Sequence, residues 1–294
     1  MEKRATYRQW WIGIGFAIPQ IVLIFTFFYW PAGQAVYWSL TLQQPWGGGN
    51  IWVGLDNFRE ILSDPNYWAS VWRSIVFAGF STAIAMICAL LLAVCVDREL
   101  TGSRLYRVVL IWPYGIAAPA LALAFRFMLA PQAGLIAFVN DVWPGIWDPG
   151  LNGTDAMISV IAAFSWKYVG YDFIFFLSAL QSIPRSHIEA AALDGAGVLR
   201  RLVDIQLPLL TPTVFFLLVI DITESFQDSF GIVDIMTAGG PARATELMVY
   251  KIYFDGFRGL DYSGAAAQSI ILMILIMGLT ILQFRFIERR VHYK

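Results

Sequence analysis

Long apolar stretches free of charge dominate the chain. No charged residue lies between Arg8 and Asp56, between Arg73 and Asp97, between Arg107 and Arg126, or between Asp261 and Arg285. A helix needs about 20 mostly apolar residues to cross a hydrocarbon core, and each of these gaps holds one such run. Two further runs are apolar but interrupted, 156–180 by Lys167 and Asp172 and 208–230 by Asp221, Glu224 and Asp228. The pattern predicts an all-α integral membrane protein with six transmembrane helices, at about 11–34, 74–96, 108–129, 156–180, 208–230 and 263–285. A loop at 181–207 joins the fourth to the fifth. No linker or low-complexity tract divides the chain, so 1–294 reads as a single membrane domain. Lys3, Arg4 and Arg8 before the first run look like the start of a signal peptide. That run is longer than a signal core and no A-x-A site closely follows it, so it is expected to stay as the first span.

Composition agrees. Hydrophobic residues make up 58% of the chain and charged residues 14%, against about 45–50% and 25% in soluble domains. This excludes a soluble enzyme or a disordered chain. Twelve tryptophans suit helix ends placed at membrane interfaces. A net charge of −1 gives no basic field for nucleic acid. Cys88 and Cys95 are too far apart along one helix to pair. With six spans both termini share a side. That side holds thirteen Lys and Arg, including Lys3, Arg98, Arg185 and Arg289, against six on the other. The positive-inside rule places both termini in the cytoplasm.

Catalytic motifs are missing. No Gly-Lys pair exists to build a nucleotide-binding P-loop, and Gly47-Gly48-Gly49 is followed by Asn50. Gly13-x-Gly15 lies inside the first span, where a dinucleotide fingerprint has no context. The histidines are His187 and His292, neither in a metal-ligand spacing, and no G-x-S-x-G elbow occurs. No catalytic residue and no metal site is expected. Uphill movement of a solute therefore needs energy from a partner or an ion gradient.

The loop at 181–207 carries the strongest signal. Pro184 suits a helix start, and Ile188 to Leu193 is alanine-rich and helix-forming. Asp194-Gly195 and Gly197 then break the helix. Val198 to Gln206 forms a second, amphipathic helix, with Val198, Leu199, Leu202 and Val203 opposite Arg200, Arg201 and Asp204. Pro208 opens the next span. The result is a helix–turn–helix elbow whose small alanines let another surface approach closely.

That elbow resembles the E-A-A-x-x-D-G-A…I-x-L-P loop of permeases of ATP-binding-cassette importers. Glu189, Ala190, Ala191, Asp194, Gly195, Ala196, Ile205, Leu207 and Pro208 fall in register, and Leu202 stands where Phe is common. Val53-Gly54-Leu55-Asp56-Asn57-Phe58 and Thr237-Ala-Gly-Gly-Pro241 with Thr245 and Leu247 are similar to two further segments of the carbohydrate-uptake branch. Stretches 179–186, 249–253, 259–261, 265–269 and the tail, with Gln283, Glu288 and Val291-His-Tyr293, resemble the A-type permeases of bacterial glycerol-3-phosphate importers. The resemblance implies a type I importer permease fold in the bacterial inner membrane. Its implied partners are a second homologous permease, a dimer of a cytoplasmic ATPase that binds ATP and Mg, and a periplasmic binding protein. It also implies that the elbow docks on the ATPase, with Glu189 as polar anchor and Gly195 as hinge. Ala190, Ala191 and Ala196 would be the close-packing surface. The shared loops do not separate glycerol-3-phosphate from a neutral sugar, and an ion-coupled carrier is the remote alternative.

Charges inside spans cost about 2.5–3.5 kcal/mol each at the bilayer centre, so they are expected to face protein or water. Asp221, Glu224 and Asp228 share one helix face. Rise per residue puts Lys167 about 16 Å into its span and Asp221 about 20 Å up its own, close enough to approach each other. A structural ion pair and a translocation-path wall both fit. The candidate path residues are Lys167, Asp172, Asp221, Glu224 and Asp228, with Trp166 and Tyr171. Lys167 is the cation suited to a phosphate monoester. Arg126 is either a helper or an interfacial anchor, and aromatics such as Tyr168 and Phe226 either line the path or fill the helix packing.

Overall fold

The computed structural model describes residues 10–44, 48–97 and 103–287. Expectations resting on Lys3, Arg4, Arg8, Gly47, Arg98 and the tail from Glu288 through Arg289, Val291, His292 and Tyr293 lie outside the described residues. In chain order, α1 (Trp10–Ile24) runs through a wide turn into α2 (Trp30–Ser39). Strands β1 (Thr41–Gln43) and β2 (Asn50–Trp52) follow, then α3 (Asp56–Ser63) and α4 (Pro65–Asp97). Next come α5 (Ser103–Ile111), α6 (Ala118–Met128), α7 (Ala137–Val142) and α8 (Gly153–Ser182). Helices α9 (Arg185–Leu193), α10 (Val198–Arg201) and α11 (Leu207–Gln227) form and follow the elbow. The last are α12 (Ser229–Met236), α13 (Met248–Tyr253) and α14 (Tyr262–Ile287). Two compact units result, Met1–Asp64 with Ile252–Ile271, and Pro65–Lys251 with Leu272–Lys294.

Among the described residues, five helical stretches are long and apolar enough to cross a membrane: Gly13–Ser39, Pro65–Asp97, Gly153–Ser182, Val198–Gln227 and Tyr262–Arg285. The predicted third span, 108–129, is not one straight helix. It is a pair, Arg107–Gly115 and Ala118–Met128, bent by 105°. The cause is in the sequence. Pro113 offers no N–H, a tight turn covers Trp112–Gly115, and Ile116 and Ala117 are extended ahead of Pro119 in the first turn of α6.

Two other differences share one cause. The helix of the first span continues to Ser39, and the helix that carries the fifth begins at Val198 rather than at Pro208. Each crosses a proline by widening one turn. The Trp30 N–H bonds Phe25 O just before Pro31, and the Leu207 N–H bonds Leu202 O just before Pro208. The five-residue turn makes room for a ring that would otherwise meet the carbonyl four residues back.

In the first unit β1 and β2 pair antiparallel, Thr41 opposite Trp52. The Asn57 side-chain amide donates to Ser39 O (2.9 Å) and Thr41 O (3.1 Å). Asn57 of the Val53–Phe58 motif is thus a clasp that ties the end of α2 to the hairpin. In the second unit α4 presents a stripe of small buried residues, Ser70, Ser74, Ala78, Ser81, Ala85, Ala89 and Ala93, spaced three or four apart. Helix α8 closes on this stripe, as small residues allow in membranes. Phe77 meets Phe164 edge-on at 5.3 Å, and the Ser165 hydroxyl donates to Ser81 O at 3.1 Å. Ser165→Ala is expected to lower stability by about 1 kcal/mol, since alanine fits and only the hydrogen bond goes. An unchanged unfolding midpoint in detergent would show that this bond carries no weight. On its other side α8 meets α5, where a Cβ at Gly170 would lie 2.0 Å from Leu110 O.

Candidate functional site

Ile183 is extended ahead of Pro184, which ends α8 and starts α9. The end of α9 is closed by two turn bonds, Ala196 N to Ala191 O (2.9 Å) and Gly195 N to Ala192 O (3.1 Å). Gly195 supplies the left-handed residue this cap requires, with φ +80°. The chain re-enters a helix at Val198, and Leu202, in place of the usual Phe, is buried. Ile188 packs against a core built by α4, α8 and α11. The rest of the elbow faces outward. Leu193 is 90% exposed and Leu199 74%. Glu189, Ala190, Asp194, Gly195 and Pro208 are exposed, and Ala191, Ala196 and Leu207 half-buried. Arg200 and Asp204 pair at 3.3 Å on the surface.

The second cluster lies between α8 and α11, which run antiparallel. Lys167 and Asp228 form an ion pair. The Tyr168 hydroxyl reaches Glu224 Oε2 (3.3 Å) and Asp228 Oδ2 (3.2 Å), and the Lys167 ammonium sits 5.6 Å from the Tyr168 ring centre. Deeper along α8, the fully buried Asp172 lies beside the fully buried Asp221. None of their four oxygens meets a donor among the described residues.

Rise per residue leaves Lys167 and Asp221 close enough to approach each other, but Lys167 meets Asp228 instead. The antiparallel register brings Asp172, five residues further along α8, level with Asp221, so Lys167 lies about 7.5 Å nearer the other end of the pair. Tyr171 stacks on Tyr114 at 4.9 Å, and Tyr114 also meets Tyr168. Trp166, the residue before Lys167, is 54% exposed. Phe226 is buried. Sequence reading missed Tyr114, because the bend at Trp112–Gly115 alone brings it onto α8. Cys88 and Cys95 are free thiols on the outer surface of α4.

The Thr237–Leu247 segment forms a tight loop. Thr245 Oγ1 donates to Gly240 O at 2.8 Å and lies 2.7 Å from Thr237 Oγ1. Glu246, buried, meets the Ser70 hydroxyl at 3.2 Å and Arg243 at 3.8 Å. The recurring Thr and Leu residues are thus fasteners of a loop rather than exposed ligand groups.

Residues 7–293 match the family described as binding-protein-dependent transport system inner membrane component. The chain belongs to this family. It is therefore a multi-pass inner-membrane component of a transport system, a permease rather than a catalytic subunit. It is 48% identical to the sn-glycerol-3-phosphate transport system permease protein UgpA of Rhizobium meliloti (strain 1021), over 94% of both chains. Against the protein of that name from Pectobacterium atrosepticum the identity is 42%, over 100% of this chain and 99% of that one. Among solved structures, the permease shares its fold with a bacterial ABC transporter involved in the import of the acidic polysaccharide alginate. The TM-score is 0.80 and the identity 21%, covering 95% of this chain and 96% of that one.

Proposed function

We propose that this permease carries sn-glycerol-3-phosphate inward across the bacterial inner membrane, driven by ATP hydrolysis on partner chains. The observation that carries the reading is identity of 42–48% along nearly the whole length to permeases named for that substrate. The exposed elbow supports the coupling half. It is an outward-facing ledge of Leu193, Val198 and Leu199 with Glu189 beside it, held by a glycine-capped turn. A surface of that kind suits docking into a cleft of a cytoplasmic ATPase dimer, with Glu189 meeting a basic partner. Ala190, Ala191, Asp194, Ala196, Leu207 and Pro208 shape the contact. Because the widened turn makes α10 and α11 one continuous helix, a push on the elbow is delivered directly to α11 and its acidic face. Lys167, Asp172, Asp221, Glu224, Asp228 and Tyr171 form the polar side of the passage. Trp166, more than half exposed on α8, is left to lipid or a neighbouring subunit. A second homologous permease and a periplasmic binding protein complete the assembly, and ATP and Mg bind only to the ATPase.

The test is uptake of labelled glycerol-3-phosphate by cells deleted for this chain, with and without the chain restored. Restoration that excess maltose does not compete away is the expected result. No restoration with the complex assembled would overturn the substrate assignment.

A further inference from the structure

A cavity of about 360 Å³ lies at the end of α8 opposite the elbow. Its walls include Arg126 from the last turn of α6, Asp148 and Gly150 from the turn before α8, Ser159, and Thr237 and Gly240 from the tight loop. From Ser159 to the end of α8 at Ser182 is about 35 Å of helix, a full membrane thickness. If the elbow faces the cytoplasm, this cavity faces outside.

Its polar equipment is divided. Arg126 and Asp148 are the charged residues of the lining, and they form no ion pair with each other. Arg126 donates one bond, from a terminal guanidinium nitrogen to Ile235 O at 3.0 Å, near the end of α12. The side chain is otherwise exposed, which leaves most of its five N–H donors unspent. Asp148 is fixed independently. Its Oδ1 accepts from Gly150 N (2.9 Å) and Leu151 N (3.2 Å), and its own N–H is held by Asp155 Oδ2 (2.9 Å). An ionised carboxyl has about four lone-pair sites, so acceptor capacity remains. A cation and a carboxylate that line one cavity without pairing match a ligand with an anionic head and a hydroxyl-bearing body.

We propose that this cavity is an outer capture site for a phosphorylated polyol. Arg126 holds the phosphate, and Asp148 accepts hydrogen bonds from the polyol hydroxyls. The inference rests on the importer reading above and adds a residue pair that the importer resemblance does not point to. It also places the next cation usefully, because Lys167 lies about 12 Å further along α8 from Ser159.

The test is calorimetric titration of the purified full-length chain in lipid nanodiscs with inorganic phosphate, sn-glycerol-3-phosphate and glycerol. Arg126→Gln is expected to weaken both phosphates by about tenfold or more. Arg126→Lys, which keeps the charge, retains most of the binding. Asp148→Asn is expected to weaken glycerol-3-phosphate while leaving inorganic phosphate nearly unchanged. Should Arg126→Gln fail to fold, the Arg126→Lys and Asp148→Asn titrations still decide. Variants that titrate like the wild type overturn the site, and normal uptake would then leave the importer reading standing. Flat titrations together with loss of binding-protein-stimulated ATP hydrolysis in Arg126→Gln also overturn it, in favour of a protein contact. Phosphate binding that Arg126→Gln abolishes, with no wild-type uptake of glycerol-3-phosphate, supports the anion site and overturns the transport substrate instead.

Discussion

Gly195→Pro is expected to abolish uptake while the chain still inserts and folds. Gly195 holds φ +80°, and proline is locked near −65°, so the cap of α9 cannot form. The turn bonds from Gly195 and Ala196 back into α9 are lost, and the elbow no longer presents Glu189 and the exposed leucines together. None of the α9 residues is buried, so the helical core has little stake in the change. Gly195→Ala separates strain from space. Nothing lies within 4 Å of a Cβ there, leaving only the left-handed penalty of about 1–2 kcal/mol, and partial uptake is expected. Glu189→Ala tests the contact itself. Truncating one partner of a desolvated charge pair costs about 2–5 kcal/mol, or about thirtyfold and upward in ATPase docking. ATP hydrolysis by the partner should then no longer respond to the binding protein. Membrane-inserted Gly195→Pro or Glu189→Ala protein with wild-type uptake would remove the coupling role from the elbow.

The elbow was legible because its chemistry is local. Asp-Gly after an alanine run dictates a left-handed cap whatever packs around it, and the cap bonds found at Ala191 and Ala192 are the ones that sequence implies. The long apolar helices were legible for a similar reason, since a gap between charges is read directly off the chain. The bend within the third span was not legible, because a gap records hydrophobicity and not continuity. Pro113, Gly115 and Pro119 were in plain view, but their joint effect, a 105° bend, depends on α8 and α12 being there to receive the two halves. The same limit explains Pro208. Read alone it marks a helix start, yet one widened turn carries the helix through it.

The polar cluster shows the other limit. That the charges within the fourth and fifth spans turn away from lipid follows from their cost. Which charge meets which does not, because pairing depends on the register of two antiparallel helices. A shift of two turns exchanges Asp221 for Asp228 as the partner of Lys167. The neighbouring pair of carboxyls, Asp172 beside Asp221, has no sequence signature at all, since the two residues are 49 positions apart.

Register also determines what Lys167 does, and a double-mutant cycle reads it. Lys167→Met is expected to lower stability by about 2–3 kcal/mol. Breaking a buried pair costs about 3–5 kcal/mol, and the value is discounted because the Asp228 side chain is 31% exposed and keeps some water. Asp228→Asn should cost less, since Glu224 remains within reach through the Tyr168 hydroxyl. In Lys167→Met/Asp228→Asn neither member of the pair is left as a stranded charge, and the unfolding midpoint is expected to return close to that of the wild type. Uptake is the second readout. An anion crossing the apolar layer needs a compensating cation at depth, and the double variant lacks one, so uptake of glycerol-3-phosphate is expected to stay low although stability is regained. Recovery of uptake together with stability would make the pair a bond between helices and nothing more, and would move the passage to another face of α8.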